Sequence, residues 1–282
     1  MGDSTMRANK RLLGRFILYG LVAIVTVLFL FPILFAMLAS FKPNREIFGY
    51  PPSIFPHTWT LEGYTFILSQ KKYLRYFLNA WVISILATFV CVTLGSLAGY
   101  GFSRFKVPAK RLFMLGILIL MMFPGVILMI PYFRLARALS LYDTYLILVL
   151  IDSAFVLPLA IWLLKSFFDS IPVEVEEAAM VDGCTRIKAL FFVIAPLARA
   201  GVIAVGIMAF LKAWNEFMFA LILTKGAEKA PISVGLAGLF QAYSVNWNAV
   251  LAVTMLSIFP LMIIFIFLQR YIIGGITGGA IK

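Results

Sequence analysis

Long stretches without any charged side chain limit the folds that are open to this chain. The first of them covers residues 16–39, where 24 consecutive positions include no Asp, Glu, Lys or Arg. A backbone in lipid has to satisfy its own hydrogen bonds, so such a segment crosses the membrane as a helix of about 20 residues. Hydrophobic residues make up 63% of the 282 positions, against about 45–50% in a soluble domain. The sequence therefore predicts an all-α integral membrane protein.

Six apolar segments reach the length of a membrane crossing: residues 16–39, 77–103, 112–133, 144–164, 200–224 and 249–269. The first is longer than the apolar region of a cleaved signal peptide, which has about 7–15 residues. The predicted organisation is an N-terminal segment over 1–15, a first transmembrane helix with its outer loop over 16–76, a five-helix core over 77–269 and a glycine-rich tail over 270–282. Because six crossings return the chain to its starting side, both ends face one compartment.

The short loops predict the orientation of these six helices. Four bases lie in the eight residues between spans 2 and 3: Arg104, Lys106, Lys110 and Arg111. The loop between spans 3 and 4 holds only Arg134 and Arg137, and basic loops remain in the cytoplasm. We therefore expect both termini and the loop between spans 4 and 5 to face the cytoplasm, in a plasma (inner) membrane.

The net charge of +12 suggests contact with anionic lipid head groups rather than with nucleic acid. The bases lie in short patches between apolar blocks, so no soluble domain is left to carry a basic face. Metal binding lacks a ligand set, because His57 is the only histidine and the two cysteines, Cys91 and Cys184, lie at different predicted depths. The same difference in depth argues against a disulfide.

A charged loop over about residues 165–200 interrupts the apolar segments between spans 4 and 5. It carries five acids and four bases: Asp169, Glu174, Glu176, Glu177, Asp182, Lys165, Arg186, Lys188 and Arg199. Pro172 suits the first turn of a helix, and the acids that follow it complement the positive N-terminal end. Gly183 suits the helix end, and Pro196 breaks a second helical run that starts at Arg186. The loop is predicted to be a short docking helix, a turn and a second helix, with one apolar face formed by Val175, Ala178, Ala179 and Met180.

The spacing within this loop resembles the EAA loop of binding-protein-dependent ABC importer permeases. The resemblance rests on Glu177-Ala178-Ala179, on Gly183 after three residues and on Pro196 further along. Further matches are typical of the carbohydrate branch, the MalG-like maltose permeases: Asp182 before Gly183, Phe191, Phe192, Arg199 and the WNEF string at 214–217. Val193 and Ala195 replace the usual isoleucine and leucine, and both replacements are apolar.

This resemblance implies a type I ABC importer permease fold, with six transmembrane helices and a cytoplasmic EAA coupling loop between helices 4 and 5. It implies that one set of residues couples the permease with an ATPase: Glu177, Ala178, Ala179, Asp182, Gly183 and Pro196. It also implies a second homologous permease as a heterodimer partner, two cytoplasmic ATPase subunits and an extracytoplasmic solute-binding protein. The implied substrate is a sugar or oligosaccharide.

The chain has no nucleotide-binding loop of its own. It contains no GxxxxGK[ST] pattern and no Gly-Lys pair. We therefore expect a transport subunit that is not an enzyme and has no cofactor, with ATP and Mg²⁺ bound by the partner ATPase subunits.

Polar residues within the predicted spans are candidates for the substrate pathway: Asp152, Trp214, Asn215 and Glu216. Lys212 and Glu216 lie four residues apart and are predicted to pair, which fits either a structural ion pair or a polar lining. Trp214 offers a flat face on which a sugar ring can stack. Asp152 fits either a coupled-ion site or a carboxylate that reaches interfacial water.

Other interpretations remain open. A permease for glycerol-phosphate-type solutes would share the same loop, an ion-coupled secondary carrier would depend on Asp152 or Glu216, and a membrane scaffold would use the charged loop only for recruitment. Gly95 and Gly99 form a small-residue pair on span 2 that fits either a seam in a moving bundle or ordinary helix packing. Prolines that interrupt or end spans fit either a transport path or static kinks: Pro124, Pro131, Pro158 and Pro260.

Overall fold

The structure is a computed structural model that describes the backbone of residues 2–240 and 245–278 and the side chains of 15, 17–240 and 245–268. No strand occurs in those ranges. The first seven helices are α1 (Gly2–Ala39), α2 (Asn44–Ile47), α3 (Glu62–Ser69), α4 (Lys71–Arg104), α5 (Lys110–Leu120), α6 (Gly125–Ala138) and α7 (Tyr145–Asp169). The next seven are α8 (Val173–Val181), α9 (Arg186–Ala189), α10 (Ala195–Leu197), α11 (Arg199–Trp214), α12 (Met218–Leu223), α13 (Ile232–Ala237) and α14 (Trp247–Gly278). A π-helical turn covers Leu190–Ile194 and a 3₁₀ turn covers Gly238–Phe240.

Four of the predicted spans are single helices that are long and apolar enough to cross a membrane. They are Ile17–Ala39, Lys71–Arg104, Tyr145–Asp169 and Trp247–Leu268. Helical backbone extends further than expected at both ends of the chain, since α1 already begins at Gly2 and α14 continues to Gly278. The last four residues of the predicted tail, 279–282, lie outside the described residues.

Spans 3 and 5 are both broken: the prediction of one helix through Glu216 in span 5 is wrong, and Pro124 was expected to interrupt or end span 3. Residues 112–133 divide into α5 and α6, which meet at 91°. Pro124 explains this break, because proline lacks an N–H and keeps the preceding residue out of the helical region. Residues 200–224 divide into α11 and α12 on either side of Asn215–Phe217, and a further bend of 89° separates α10 from α11. Up to six spans result if two bent pairs each count as one, namely Lys110–Leu120 with Gly125–Ala138 and Arg186–Leu197 with Arg199–Trp214.

One compact unit comprises Met1–Ser69 with Leu239–Leu256. Its centre is the buried Asn248, whose amide donates to the carbonyl oxygens of Ser40 at 3.0 Å and Lys42 at 2.6 Å. The backbone N–H of Asn248 donates to Asn44 Oδ1 at 2.9 Å. A methyl group on Gly63 would overlap Asn248, so only glycine fits beside it. These bonds hold the start of the outer loop in one conformation.

The rest of that loop is ordered by two charged side chains. The Lys42 ammonium is buried and donates to the Ser53 carbonyl oxygen and hydroxyl. The Glu46 carboxylate accepts the backbone N–H of His57 at 2.7 Å and that of Thr58 at 3.3 Å. The His57 N–H lowers the pKa of Glu46 from its ordinary value. These bonds order the outer loop between the first two spans.

The second unit comprises Gln70–Gly238 with Ser257–Lys282. Its core is formed mainly by α4, α7 and α11, and α4 and α7 pack along most of their length. A Cβ atom on Gly95 would lie 3.2 Å from Ala160 Cβ, and one on Gly99 would lie 3.0 Å from the backbone N of Lys165. The small-residue pair is therefore a close seam between α4 and α7.

At the opposite end of α4, Asn79 ties the helix to the segment that follows α12. Its buried amide donates to the carbonyl oxygens of Ala227 at 2.9 Å and Ala230 at 2.8 Å. The Tyr145 hydroxyl donates to Asn79 Oδ1 at 2.7 Å. These bonds hold residues 227–230 of the loop that follows α12 against α4, and residues 241–244 lie outside the described residues.

The seam generates a first prediction. Gly99→Ala should lower the thermal unfolding midpoint in detergent, because overpacking costs about 1–3 kcal/mol and exceeds the helix propensity gain of about 1 kcal/mol. Gly101→Ala is the matched control on the same helix, since a Cβ there meets nothing within 4 Å. It should leave the midpoint unchanged or slightly raised. Equal shifts in both variants would contradict the seam.

Candidate functional site

The charged loop folds as predicted at its first helix. Helix α8 follows Pro172 and carries Glu174 and Glu176 in its first turn. It ends in a Schellman motif, in which Cys184 N–H donates to Ala179 O at 3.0 Å and Gly183 N–H to Met180 O at 3.1 Å. Gly183 has a φ of 90°, a value that L side chains adopt only at a cost. The stop at Gly183 is confirmed.

The buried face of α8 differs from the prediction, because a carboxylate occupies it. Val175, Ala178, Ala179 and Met180 were expected to form an apolar face, but the buried residues are Glu176 and Ala179. Ala178 is exposed. Helical geometry explains the pairing, since positions three apart share a face and Glu176 lies three residues before Ala179.

Glu176 is fixed by a buried network at the end of α4. Its Oε2 accepts Arg104 Nε at 2.9 Å, and its Oε1 is bonded to the Tyr100 hydroxyl. The same guanidinium donates through Nη2 to the Ile171 carbonyl oxygen at 2.9 Å. The side chains of Arg104 and Glu176 are only 6% and 3% exposed. Arg104 therefore binds both the helix and the turn that precedes it.

Two further contacts join the loop to the last turn of α4 and to Phe105, the residue that follows it. The Arg186 guanidinium lies 5.0 Å above the centroid of the Phe105 ring. Asp169, at the end of α7, accepts the Ser103 hydroxyl at 2.7 Å and pairs with Lys165. Arg104 and Glu176 were predicted only as loop charges, and their pairing was not predicted. The available signal was that Glu176 shares a helix face with Ala179, which faces the protein.

The predicted coupling residues lie mainly on the opposite, exposed side of α8. Glu177, Ala178, Asp182 and Gly183 are exposed, whereas Ala179 is buried at 8%. Four of the six are thus brought together on one surface of the helix and its C-terminal turn. Pro196 is exposed but lies beyond α9 and the π-helical turn.

Pro196 acts differently from the prediction. The helical run continues through it as α10 and turns only at Ala198, whose N–H donates to Ile194 O at 2.9 Å. The five residues before α10 form the π-helical turn, in which Leu190 and Ile194 are fully buried. The missing N–H of proline leaves one carbonyl without a helical partner, which favours such an irregular turn.

A second candidate region is the break between α11 and α12. Lys212 Nζ lies 2.9 Å from Glu216 Oε2, so the predicted pair is confirmed. The helix nevertheless ends at Trp214, and Glu216 Oε1 accepts the N–H of Phe219 at 2.9 Å. The buried carboxylate therefore starts α12 as well as neutralising the lysine.

The structure places the other predicted pathway residues in different surroundings. Trp214 is buried, with its ring stacked on Phe210 at 5.6 Å and edge-on to Trp81 at 5.2 Å. Asn215 is exposed, and its amide donates to Leu211 O at 2.7 Å. Neither face of Trp214 is open to a sugar in this conformation.

Asp152 is buried in α7 and interacts electrostatically with Glu216 and Lys212. Its Oδ1 atom has no hydrogen-bond partner within the described part of the chain. The neighbouring Ser153 hydroxyl is bonded to the carbonyl oxygens of Val149 and Ala87. The structure thus brings Asp152 close to the Lys212–Glu216 pair, which the sequence alone did not indicate.

A cavity of about 390 Å³ lies at the bend between α5 and α6. Its lining is mostly apolar and aromatic: Leu120, Met121, Phe123, Leu128, Tyr132, Ala154, Phe155 and Pro158. Lys212 Nζ lies 5.6 Å from the centroid of Phe155, which contacts Phe219 at a centroid distance of 5.3 Å. The cavity is therefore one ring away from the intramembrane ion pair. No cluster of three metal-binding side chains occurs in residues 2–240 and 245–278.

Known proteins are similar over almost the whole chain. The Escherichia coli (strain K12) inner membrane ABC transporter permease protein YcjP is 35% identical over 279 residues, which cover 98% of this chain and 100% of YcjP. The Thermococcus litoralis trehalose/maltose transport system permease protein MalG is 34% identical, over 97% of this chain and 99% of its own length.

The fold is also that of a solved ABC transporter, a bacterial one involved in the import of the acidic polysaccharide alginate. The superposition has a TM-score of 0.80 at 22% identity and covers 94% of this chain and 98% of that chain. Residues 91–277 match the family described as binding-protein-dependent transport system inner membrane component. The chain therefore belongs to this family and is a multi-pass membrane permease subunit of an ABC importer.

Proposed function

We propose that this permease carries a sugar or oligosaccharide and that the exposed surface of α8 receives the force of separate ATPase subunits. The observation that carries the coupling role is the division of α8 into two sides. Glu176 fixes one side to α4 through Arg104, while Glu177, Asp182 and Gly183 remain exposed on the other. The sugar substrate is supported by the trehalose/maltose system of the Thermococcus litoralis relative.

The partners follow from the same proposal. Six crossings make half of a translocation path, so a second, homologous permease completes it as a heterodimer. Two ATPase subunits bind ATP and Mg²⁺, because this sequence lacks a phosphate-binding loop. The family description supports an extracytoplasmic solute-binding protein.

The proposed orientation places α8 and both termini in the cytoplasm, where the ATPase subunits act. Its support is the cluster of four bases at the same end of the molecule as α8: Arg104, Lys106, Lys110 and Arg111. Arg104 contacts α8 directly, so the basic loop and the coupling helix share one membrane side. ATP-driven closure then displaces α8 and, through Arg104, the end of α4.

For the substrate path, we assign Asn215 and the Lys212–Glu216 pair to the polar lining. Asn215 is exposed, and Glu216 lies at a break in the helix, where irregular backbone is tolerated only beside protein or water. Trp214 can stack on a sugar only in a conformation that separates it from Phe210. A glycerol-phosphate-type solute remains the alternative substrate.

A second candidate function is ion-coupled transport, which the buried Asp152 favours. Its unpartnered Oδ1 beside Glu216 is the arrangement that a coupled proton or sodium ion would use. Solute uptake by the purified chain in ATP-free liposomes, under an imposed ion gradient, decides between the two mechanisms. We expect no solute uptake without the ATPase subunits; uptake that depends on Asp152 would refute ATP coupling.

Charge reversal on the exposed side of α8 gives a second prediction. Glu177→Lys should weaken ATPase association about tenfold or more, since like charges at an interface cost several kcal/mol. Co-purification and stimulated ATP hydrolysis measure the effect. Glu174→Lys, an exposed reversal in the first turn of the same helix, should retain most of the association. If both variants lost co-purification and stimulated hydrolysis, the loss would come from a general charge effect and not from the position of Glu177.

Gly183 gives a third prediction about the same surface. A Cβ atom at Gly183 meets nothing within 4 Å in this chain, so any steric loss comes from the partner, apart from the positive φ. Gly183→Asp should abolish stimulated hydrolysis while the protein remains inserted. Gly183→Asn, which has the same size and tolerates the left-handed region, separates added charge from backbone conformation. Normal coupling in both variants would exclude a role for this turn.

The Arg104–Glu176 pair gives a fourth prediction. Glu176→Gln leaves a buried guanidinium without its counter-charge, which typically costs about 3–5 kcal/mol. Thermal unfolding should show this loss, and stimulated hydrolysis should fall although Glu177 remains available for docking. Arg104→Met combined with Glu176→Met removes both charges and should recover stability without recovering coupling. If Glu176→Gln unfolds like the unaltered protein, the pair does not fix α8.

A further inference from the structure

A cavity of about 660 Å³ lies between the first turns of α5 and the last turns of α7. Eight residues line it: Lys110, Arg111, Met114, Leu115, Trp162, Lys165, Ser166 and Asp169. It is separate from the cavity at the α5–α6 bend, with which it shares no lining residue. It also lies outside the proposed coupling and transport residues. All of its lining belongs to the Gln70–Gly238 unit.

The rim of this cavity is positively charged. Lys110, Arg111 and Lys165 contribute three positive charges, and Asp169 contributes one negative charge, so the net charge is +2. Asp169 is already engaged by Lys165 and by the Ser103 hydroxyl. Lys110 and Arg111 form no ion pair within the described part of the chain. Two cations at the start of a helix, with no acid in its first turn, are also placed against the positive end of the helix dipole.

The floor of the cavity is apolar and has a fixed shape. Met114 is buried, Leu115 lies beside it, and the Trp162 indole donates to the Met114 carbonyl oxygen at 3.1 Å. This bond joins α5 to α7 and holds the indole against the opening. A charged rim above an apolar floor with a tryptophan at the boundary is the pattern of a membrane interface.

We propose that this cavity binds an anionic phospholipid, with the head-group phosphate at Lys110 and Arg111 and the upper acyl chain on Met114, Leu115 and Trp162. A soluble phosphate would use the cations but would leave the apolar floor in water. A zwitterionic lipid would fill the floor but would not neutralise the excess of two positive charges. Basic pockets between membrane helices favour anionic head groups for this reason.

The bound lipid joins α5 to α7 next to the base of the charged loop. Lys110 and Arg111 lie in the first turn of α5, and Lys165 lies in the last turns of α7, just before the turn that leads to α8. Asp169 connects this corner to α4 through Ser103. An anionic lipid therefore holds α5 against α7 next to the base of the charged loop, whatever solute the permease carries.

The experiment measures lipid binding by the purified full chain. Titration with phosphatidylglycerol and phosphatidylcholine, followed by native mass spectrometry, should show tighter binding of phosphatidylglycerol. Lys110→Gln with Arg111→Gln should weaken phosphatidylglycerol binding about 30-fold, on the scale of surface attraction per basic residue. Lys106→Gln with Lys188→Gln is the matched control, because both lysines are exposed and neither lines the cavity; Lys106 precedes α5 and Lys188 lies in α9. Equal losses in the two double variants would overturn the site in favour of diffuse attraction.

A second variant keeps the test valid if loss of two bases disturbs membrane insertion. Ser166→Trp fills the cavity from its exposed edge without changing any charge and should also abolish the preference for phosphatidylglycerol. Brominated acyl chains report the floor directly, since they should quench a fluorescence component that Trp162→Phe removes. Quenching that is unchanged in Trp162→Phe would overturn the placement of the acyl chain. Stabilisation by inorganic phosphate equal to that by phosphatidylglycerol would assign the site to a soluble anion instead.

Discussion

The arrangement of the charged loop depends on one buried ion pair. Arg104 and Glu176 are nearly inaccessible, and desolvating two charges is favourable only when their remaining hydrogen bonds are satisfied. The Tyr100 hydroxyl and the Ile171 carbonyl oxygen provide those bonds. The geometry of α8 is therefore specified by directional hydrogen bonds as well as by apolar burial. Burial of two small alanines alone would not be enough to fix the orientation of the helix.

Much of the fold could be predicted from apolar length, and the exceptions have identifiable causes. Four spans are single helices, as the need for internal hydrogen bonds in lipid favours, and Pro32, Pro158 and Pro260 do not interrupt them. Span 3 is broken next to Pro124, one of the prolines that were expected to interrupt or end spans, because proline disfavours helix at the residue before it. Span 5 was expected to continue through Glu216, but this carboxylate caps a new helix instead of extending the old one. Local side-chain bonds of this kind leave no trace in hydropathy.

The candidate site shows the same limits at the level of single residues. Glu177 and Gly183 were predicted from the resemblance to the EAA loop, and the structure exposes both, Glu177 in the middle of α8 and Gly183 in the turn after it. Glu176 was interpreted as one of three acids complementing a helix terminus, because a sequence does not show that Arg104 lies within bonding distance. Trp214 was chosen for its flat face, which Phe210 covers. Whether an aromatic face is free depends on tertiary packing. An aromatic residue four positions earlier, as Phe210 is here, is only weak evidence that the face is covered.

Close packing between α4 and α7 makes these two helices one rigid pair. Gly95 and Gly99 bring the helices so close that neither can slide past the other by part of a turn without a collision. Arg104 and Asn79 are 25 residues apart on α4, which corresponds to about 37 Å along the axis. At one end of α4, Arg104 is bonded to α8. Towards the other end, Asn79 donates to the carbonyl oxygens of Ala227 and Ala230. One continuous helix therefore connects the charged loop with the segment that follows α12, with hydrogen bonds to each of them.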